Sequence, residues 1–249
     1  MDEPEKSMMR RCLGESLIPV FSSVDRTAQS AIGDGYWFVF SGINNLSANL
    51  SLICRSDSKV FSEVIQTIES FAAPKLLFLA GDARSKHPGS RWIPAGTLPF
   101  MSKNLSLGSF SPDAKARTAG PEDFAAILTL LTKSGGIDQE FAELVVSATK
   151  HEQAGLRFWL YEIDGELISV VLSSIVEDVI CLSAMATATQ SRRRGYASNL
   201  LSAVLSNAKS EGIHLALLLP TEEGKFLYDA AGWETVEDWS VYRDTGSFY

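Results

Sequence analysis

Three consecutive arginines, Arg192 to Arg194, stand directly before Gly195 and a run of residues with helical spacing. The first turn of a helix has backbone N–H groups without acceptors and a partial positive charge, so it attracts anions. A glycine lets the backbone approach a ligand closely, and arginine adds charge-assisted hydrogen bonds. The segment SRRRGYASNLLSAVL, residues 191–205, therefore predicts an anion site, and a pyrophosphate group fits this description.

Other phosphate-binding motifs can be compared directly with this segment. The chain has no G-x-x-x-x-G-K-[ST] pattern, which excludes a P-loop nucleotide hydrolase, and one glycine does not complete the dinucleotide-binding G-x-G-x-x-G. Arg192, Gly195 and Ala197 instead match the pattern [RQ]-x-x-G-x-[GA], and in this the segment resembles the GNAT acyltransferase superfamily. The resemblance implies that the ligand is acetyl-CoA, used as a cosubstrate.

A second feature, at an independent place in the chain, supports the resemblance. The segment FLYDAAGW, residues 226–233, carries Tyr228 four residues before the Gly232-Trp233 pair. Members of the GNAT superfamily commonly have a tyrosine at this spacing on the helix after the fifth strand. The resemblance covers about residues 114 to 243, and it implies an acetyltransferase domain in that region.

The resemblance also implies a role for each part of the site. An amine attacks the thioester, charge builds on the carbonyl oxygen, and the CoA thiolate departs. A backbone N–H of the fourth strand is expected to stabilise that oxygen, and Tyr228 is expected to protonate the sulfur as a general acid. Main-chain groups of Met185, Ala186 and Thr187 are expected to pair with the pantetheine arm. The expected diphosphate site consists of Arg192, Arg193, Arg194, Gly195, Tyr196, Ala197 and Ser198.

Taken one at a time, the same residues also have simpler explanations. A run of arginines is usually a solvated charged surface. Tyr228, beside Phe226 and Leu227, could be an aromatic side chain at the edge of a core, and Met185 could fill the core. The order in which these features follow one another along the chain favours the functional interpretation.

No general base is identified. The predicted fourth strand, from Val179 to Thr187, contains no acid and no histidine, and only Glu177 and Asp178 precede it. The leading hypothesis is an N-acetyltransferase that acetylates a primary amine, of a small molecule or a peptide, by direct attack in a ternary complex. The alternative is a catalytically inactive CoA-binding sensor or interaction module. A third hypothesis is a nucleotide or polyanion binder that uses the arginine turn.

Periodicity predicts the elements that position these motifs. In the C-terminal half, helices are expected after Pro121 and from Asp138, then a meander of three strands with a turn at Asp164-Gly165. A helix follows Gly195 with an apolar face, then a strand at IHLALLLP and a helix from Thr221. Two strands, near residues 233–236 and 239–243, end the chain. The apolar face of the helix after Gly195 is made of Ala197, Leu200, Leu201, Val204, Leu205 and Ala208.

The first hundred residues show a similar order of strand, turn, helix and strand, in the segments YWFVF, ANLSLIC, VFSEVIQTIESFA and KLLFLAG. We therefore expect an α/β (α+β) fold with a mixed, mostly antiparallel central sheet flanked by helices. The resemblance implies the acyl-CoA N-acyltransferase-like class, either as a single copy or in tandem. The expected domains are an N-terminal α/β lobe at 1–110 and a GNAT domain at 111–249. The N-terminal lobe is either a degenerate GNAT-like copy or an unrelated α/β lobe built from the same common elements.

Composition limits the partners and the location. The chain has 249 residues and a formal net charge of -8, with a pI of about 5.0, which argues against nucleic acid. No apolar stretch is long enough to cross a membrane, and the acidic N-terminus is unlike a signal peptide, so we expect a cytoplasmic protein. We expect a monomer or a homodimer. Cys12, Cys54 and Cys181 are expected to be reduced, and the three histidines, His87, His151 and His214, predict no metal site.

Overall fold

The structure is a computed structural model that describes residues 1–22, 28–134, 136–150 and 155–244. Its helices are α1 (Glu3–Phe21), α2 (Ser58–Glu69), α3 (Phe124–Ser134), α4 (Gln139–Thr149), α5 (Tyr196–Ser210) and α6 (Glu222–Ala230). Its strands are β1 (Gln29–Gly33), β2 (Tyr36–Phe40), β3 (Asn49–Ile53), β4 (Leu76–Leu79), β5 (Trp92–Asn104), β6 (Ala116–Thr118), β7 (Arg157–Ile163), β8 (Glu166–Val176), β9 (Val179–Thr187), β10 (Leu215–Leu218) and β11 (Glu234–Asp244).

These elements form two compact units, Met1–Phe100 with Thr235–Tyr249, and Met101–Glu234. The division at residues 110 and 111 that the sequence suggests remains a prediction, and the compact units differ from it in two places. Residues 101–110 belong to the second unit, and residues 235–244 belong to the first. The pairing of strands explains both differences, because β11 pairs with β4, and residues 101–104 of β5 pair with β10.

The first unit contains a sheet in the order β1-β2-β3-β4-β11. Strands β3 and β4 are parallel and are connected through α2, and the other neighbouring pairs are antiparallel. The apolar side chains Phe61, Val64, Ile65 and Ile68 of α2 are buried in the core of this unit. Helix α1, which the sequence analysis did not predict, begins with a capping box between Asp2 and Glu5.

A buried ionic cluster joins β11 to the rest of the first unit. The ammonium group of Lys75, which has no exposed surface, donates to Asp244 at 2.6 Å and to the carbonyl of Phe71 at 2.8 Å. Arg91 donates to both carboxylate oxygens of Asp244, at 2.6 and 2.8 Å. Burial lowers the pKa of Lys75, and the hydrogen bond to Asp244 opposes that shift. The last described residue of the chain is therefore tied to the core.

The second unit contains a sheet in the order β5-β10-β9-β8-β7-β6, with α5 connecting the parallel strands β9 and β10. The other neighbouring pairs are antiparallel. The turn predicted between β7 and β8 is confirmed, since Asp164 and Gly165 both have positive φ, at 51° and 80°. The apolar face predicted for α5 is confirmed through its buried residues Leu200, Leu201, Val204, Leu205 and Ala208.

Each unit thus has a mixed, mostly antiparallel sheet with helices packed on it, and the predicted fold class is confirmed. In both units antiparallel strands lead into a strand-helix-strand crossover, and an antiparallel strand from a distant part of the sequence closes the sheet. Within the described ranges, no helix combines the length and apolar character that crossing a membrane requires.

The prediction of two final strands is wrong, because residues 234–244 form the single strand β11. Glu237 and Asp238 break the apolar pattern and suggest a turn there. Burial favours the neutral form of Glu237, but hydrogen bonds from Arg10 and Trp239 outweigh that effect and hold its pKa below the usual value. Because its charge is compensated, the carboxylate can lie inside a continuous strand.

We expect Asp244→Asn to destabilise the protein by about 3 kcal/mol, since removing one partner of a buried ion pair leaves a buried charge uncompensated. Chemical denaturation followed by circular dichroism measures the change. The control is Asp229→Asn, which removes an exposed pair between Lys225 and Asp229 on α6. That pair should contribute less than about 1 kcal/mol. Equal effects of the two substitutions would contradict a stabilising role for the buried cluster.

Candidate active site

Strand β9 contains a bulge at the place where the sequence predicts contacts with a pantetheine arm. Val170 of β8 pairs with Ala186, and Leu172 pairs with Ser183, so a single β8 residue faces both Ala184 and Met185. Ala184 has a φ of 48°, which is rare for a residue with a side chain. Such bulges bend a strand and increase its twist. The bulge therefore changes the direction of β9 at Ala184.

Strands β9 and β10 part at the same level. Their parallel pairing runs from Val179 with Leu215 to Leu182 with Leu218. Beyond Leu182, β9 continues for five residues, of which Ser183, Ala186 and Thr187 pair with β8 on one side. In the described parts of the chain, none of the five has a strand partner on the other side. This open edge includes Met185, Ala186 and Thr187. An extended ligand could add to it as a strand would.

The open edge leads into the start of α5. Gly195 is the N-cap residue, has a φ of 81° and provides no side-chain hydrogen bond to the first turn. A Cβ at Gly195 would have no atom of the protein within 4 Å, so the glycine is required by its backbone conformation and not by crowding. Arg193 also has a positive φ, of 60°. The amides of Tyr196, Ala197 and Ser198 thus begin a helix that no side chain caps.

The corresponding helix of the first unit starts differently. Helix α2 follows β3 as α5 follows β9, but Asp57 caps it. One carboxylate oxygen of Asp57 accepts from the amides of Lys59 and Val60, at 3.1 and 3.0 Å. The hydrogen bond from Val60, together with that from Lys59, lowers the pKa of Asp57. The start of α2 therefore already has its own anion, whereas the start of α5 is open.

The three arginines have different environments. The guanidinium of Arg192 donates to the carbonyl of Ser134, the last residue of α3, and to the carbonyl of Thr187 at 3.4 Å. It thereby holds the turn against the ends of α3 and β9. Arg193 and Arg194 are exposed and have no ion pair among the described residues. Of the three arginines, Arg193 and Arg194 are the two whose guanidinium donors are all available to a ligand.

A hydrogen-bonded junction at Tyr161 supports the start of α5. The hydroxyl of Tyr161 donates to Asp113 at 2.8 Å and accepts from Asn199 of α5 at 3.1 Å. Its ring lies 5.8 Å from the ring of Tyr196, which contacts the core and so contributes its backbone amide, not its side chain, to the turn. Sequence patterns do not predict this junction, because Tyr161, Asp113 and Asn199 are far apart in the sequence and match no motif.

Tyr228 on α6 lies against the bulge of β9. Its hydroxyl donates to the sulfur of Met185 at 3.4 Å, and its ring packs edge-on against Trp233 at 5.5 Å. The side chain is only 7 % exposed, and burial raises the pKa of its phenol. The structure thus brings together Tyr228 and Met185, two residues that the sequence analysis selected separately.

No acid or histidine lies on β9 near the bulge. Glu177 and Asp178 precede the other end of the strand, which lies five residues from Ala184, or roughly 17 Å at the usual rise per residue. A carboxylate oxygen of Asp178 instead lies 3.0 Å from Nδ1 of His214. Across the described ranges, no group of three or more His, Cys, Asp or Glu side chains could hold a metal ion, and His151 lies outside those ranges.

Known proteins resemble this chain in sequence pattern and in fold. Residues 124–232 match the model of the acetyltransferase (GNAT) family. A GCN5-related N-acetyltransferase from Kribbella flavida has a similar structure, with a TM-score of 0.66 and 14% identity, over 94% of this chain and 96% of the other. A second similar structure is an acetyltransferase of the GNAT family from Novosphingobium aromaticivorans, described as putative. It has a TM-score of 0.62 and 13% identity, over 97% of this chain and 98% of the other.

A third similar structure, a GCN5-related N-acetyltransferase from Sphaerobacter thermophilus, has a TM-score of 0.61 and 12% identity, over 96% of this chain and 91% of the other. These alignments cover the N-terminal half as well, so the similarity in fold extends over both halves of the chain. No curated protein matches the sequence.

We expect the phenol of Tyr228 to remain neutral between about pH 9 and 11, where an ordinary phenol with a pKa near 10 loses its proton. The difference in tyrosinate absorbance between the wild type and Tyr228→Phe measures this. The two proteins should titrate alike in that interval, as long as both stay folded by circular dichroism. A difference of one phenolate centred near pH 10 would mean that Tyr228 is solvated.

Proposed function

We propose that the protein transfers an acetyl group from acetyl-CoA to a primary amine, because residues 124–232 match the model of the acetyltransferase (GNAT) family. The cosubstrate and the acceptor would bind together, and the nitrogen would attack the thioester directly. Met185, Ala186 and Thr187 would hold the pantetheine arm through their main chain. The diphosphate would bind at the turn from Arg193 to Ser198, with Arg192 holding that turn in place.

The observation that carries this proposal is the continuity of two open features. The unpaired edge of β9 ends at Thr187, and the uncapped start of α5 follows at Gly195. Arg192 links them, because its side chain donates to the carbonyl of Thr187. An extended chain with a diphosphate at one end matches this sequence of sites, since strand-like pairing suits the arm and free amides suit the anion.

The reacting end of the cosubstrate would lie near the bulge and Tyr228. As the C–N bond forms, negative charge develops on the carbonyl oxygen, and an amide of the open edge can donate to it. The C–S bond then breaks, and its electron pair leaves with the sulfur. Tyr228 would donate its proton to that sulfur as the general acid. Burial raises the pKa of the phenol, so the donor is present throughout neutral and mildly alkaline conditions.

The acceptor is the less defined half of the reaction. Two of the structurally similar proteins are described as N-acetyltransferases, which supports nitrogen as the nucleophile. Overall, nitrogen loses one proton and sulfur gains one, so the reaction balances. With no carboxylate or imidazole on β9, the amine would arrive neutral or lose its proton through water. A net charge of -8 would modestly attract cationic acceptors.

Turnover of acetyl-CoA with a panel of amines, amino acids and short peptides tests the proposal, with release of free thiol as the readout. We expect Tyr228→Phe to lower kcat on the order of 100-fold, the usual size of a general-acid contribution, and to leave KM for acetyl-CoA within about threefold. The control is Tyr242→Phe, which removes a phenol from β11 of the first unit and should have no effect on kcat.

The same measurements separate the alternatives. Binding of acetyl-CoA without turnover of any acceptor would favour a CoA-binding sensor or interaction module. Protection from thermal unfolding by ATP equal to that by CoA would favour a general polyanion binder. An active enzyme in which Tyr228→Phe leaves kcat unchanged would show that the general acid is another group.

A pair of glycine variants tests the diphosphate turn. Gly195 and Gly165 have nearly the same φ, 81° and 80°, and neither has a protein atom within 4 Å of a built Cβ. Alanine should therefore strain the two turns equally, by about 1 kcal/mol. Only Gly195→Ala should raise KM for acetyl-CoA, by roughly tenfold, because its methyl group meets the ligand. Equal KM values for the two variants would place the diphosphate elsewhere.

A further inference from the structure

The hydroxyl of Tyr228 has one hydrogen-bond partner among the described residues, the thioether sulfur of Met185 at 3.4 Å. The phenol is 7 % exposed, so water is a poor substitute for that partner. Met185 itself is half-buried and packs against the core of the second unit. The donor on α6 is therefore aimed at a sulfur atom on β9.

A thioether is an unusual partner for a buried hydroxyl because it is only a weak acceptor. It satisfies a donor whose burial without any partner would be unfavourable. A weak hydrogen bond is also easily exchanged for a stronger one, and an anionic thiolate is a much stronger acceptor than a thioether. The contact thus holds the O–H in one direction without competing with a departing thiolate.

The bulge is what brings Met185 to this place. Side chains alternate between the two faces of a strand, and one extra residue shifts that alternation by one. Ala184, with its φ of 48°, is part of that extra length and directly precedes Met185. The same distortion that opens the edge of β9 therefore also sets the sulfur against Tyr228.

We propose that Met185 is a positioning residue: its thioether sulfur holds the hydroxyl of Tyr228 in the direction of the leaving sulfur and then yields to it. This rests on the proposed function, in which Tyr228 is the general acid. The role belongs to the side chain of Met185 alone. The main-chain groups of this residue, which are proposed to hold the pantetheine arm, are unchanged by substitution.

Two variants of similar volume separate the acceptor from the packing. Met185→Leu removes the acceptor, and Met185→Gln replaces it with a strong amide acceptor. We expect kcat to fall about threefold to tenfold in the leucine variant. In the glutamine variant it should fall more than about 30-fold, because the Tyr228 hydroxyl would keep its hydrogen bond to the amide oxygen and not donate its proton to the thiolate. KM for acetyl-CoA should stay within about threefold in both, and circular dichroism should show that both are folded.

The decisive control is the same pair of substitutions in the Tyr228→Phe background. Without a hydroxyl to hold, the leucine and glutamine variants should have equal kcat. The double-mutant cycle between Met185 and Tyr228 should therefore show strong coupling. Equal losses with and without the hydroxyl would mean that Met185 acts only by packing, and would overturn this inference while leaving Tyr228 as the acid. No effect of Tyr228→Phe on its own would overturn both.

If Met185→Gln does not fold, replacement of methionine by norleucine provides the test. Norleucine keeps the shape of the side chain and removes the sulfur. The chain has five methionines, and the Met185→Leu protein labelled in the same way accounts for the other four. A labelled wild type with the kcat of the leucine variant supports the role of the sulfur, and one with unchanged kcat contradicts it.

Discussion

Strand β9 stops pairing with β10 after Leu182, and the candidate site depends on this divergence. A backbone hydrogen-bonded on both sides has no donors or acceptors left for a ligand. The bulge at Ala184 and Met185 redirects the strand while β8 keeps it in the sheet. This one bulge therefore exposes the strand edge for an extended ligand and brings the sulfur of Met185 to Tyr228. The strand then ends at Thr187, whose carbonyl accepts from Arg192 in the turn before α5.

Local geometry, and not overall charge, makes the start of α5 suited to an anion. The protein carries a net charge of -8. Arg192, whose position matches the motif, donates its hydrogen bonds to the carbonyls of Ser134 and Thr187. What remains for a ligand is a set of free amides after Gly195, with Arg193 and Arg194 beside them. Asp57 caps the equivalent helix start of the first unit, so one helix start has a capping side chain and the other has none.

Local patterns explain what the sequence could predict. The apolar face of α5, the turn at Asp164-Gly165 and the alternation of strands and helices are all encoded within a few residues, and the structure has each of them. The bulge was not predictable, because its positive φ falls on an alanine within an ordinary strand sequence. The junction at Tyr161 and the pair of Arg10 with Glu237 join residues 38 to 227 positions apart, and no local pattern records such contacts.

The strand that closes the sheet of the first unit is synthesised long after its partner. Strand β4 ends at Leu79, but its partner β11 begins at Glu234, so more than half of the chain is synthesised between them. Until β11 arrives, the edge of β4 is unpaired and Lys75 has no Asp244 to offset its burial. A contact of this sequence separation forms slowly, and an exposed strand edge invites association with other chains. On the ribosome, the N-terminal half therefore stays incomplete until residues 234–244 have been synthesised.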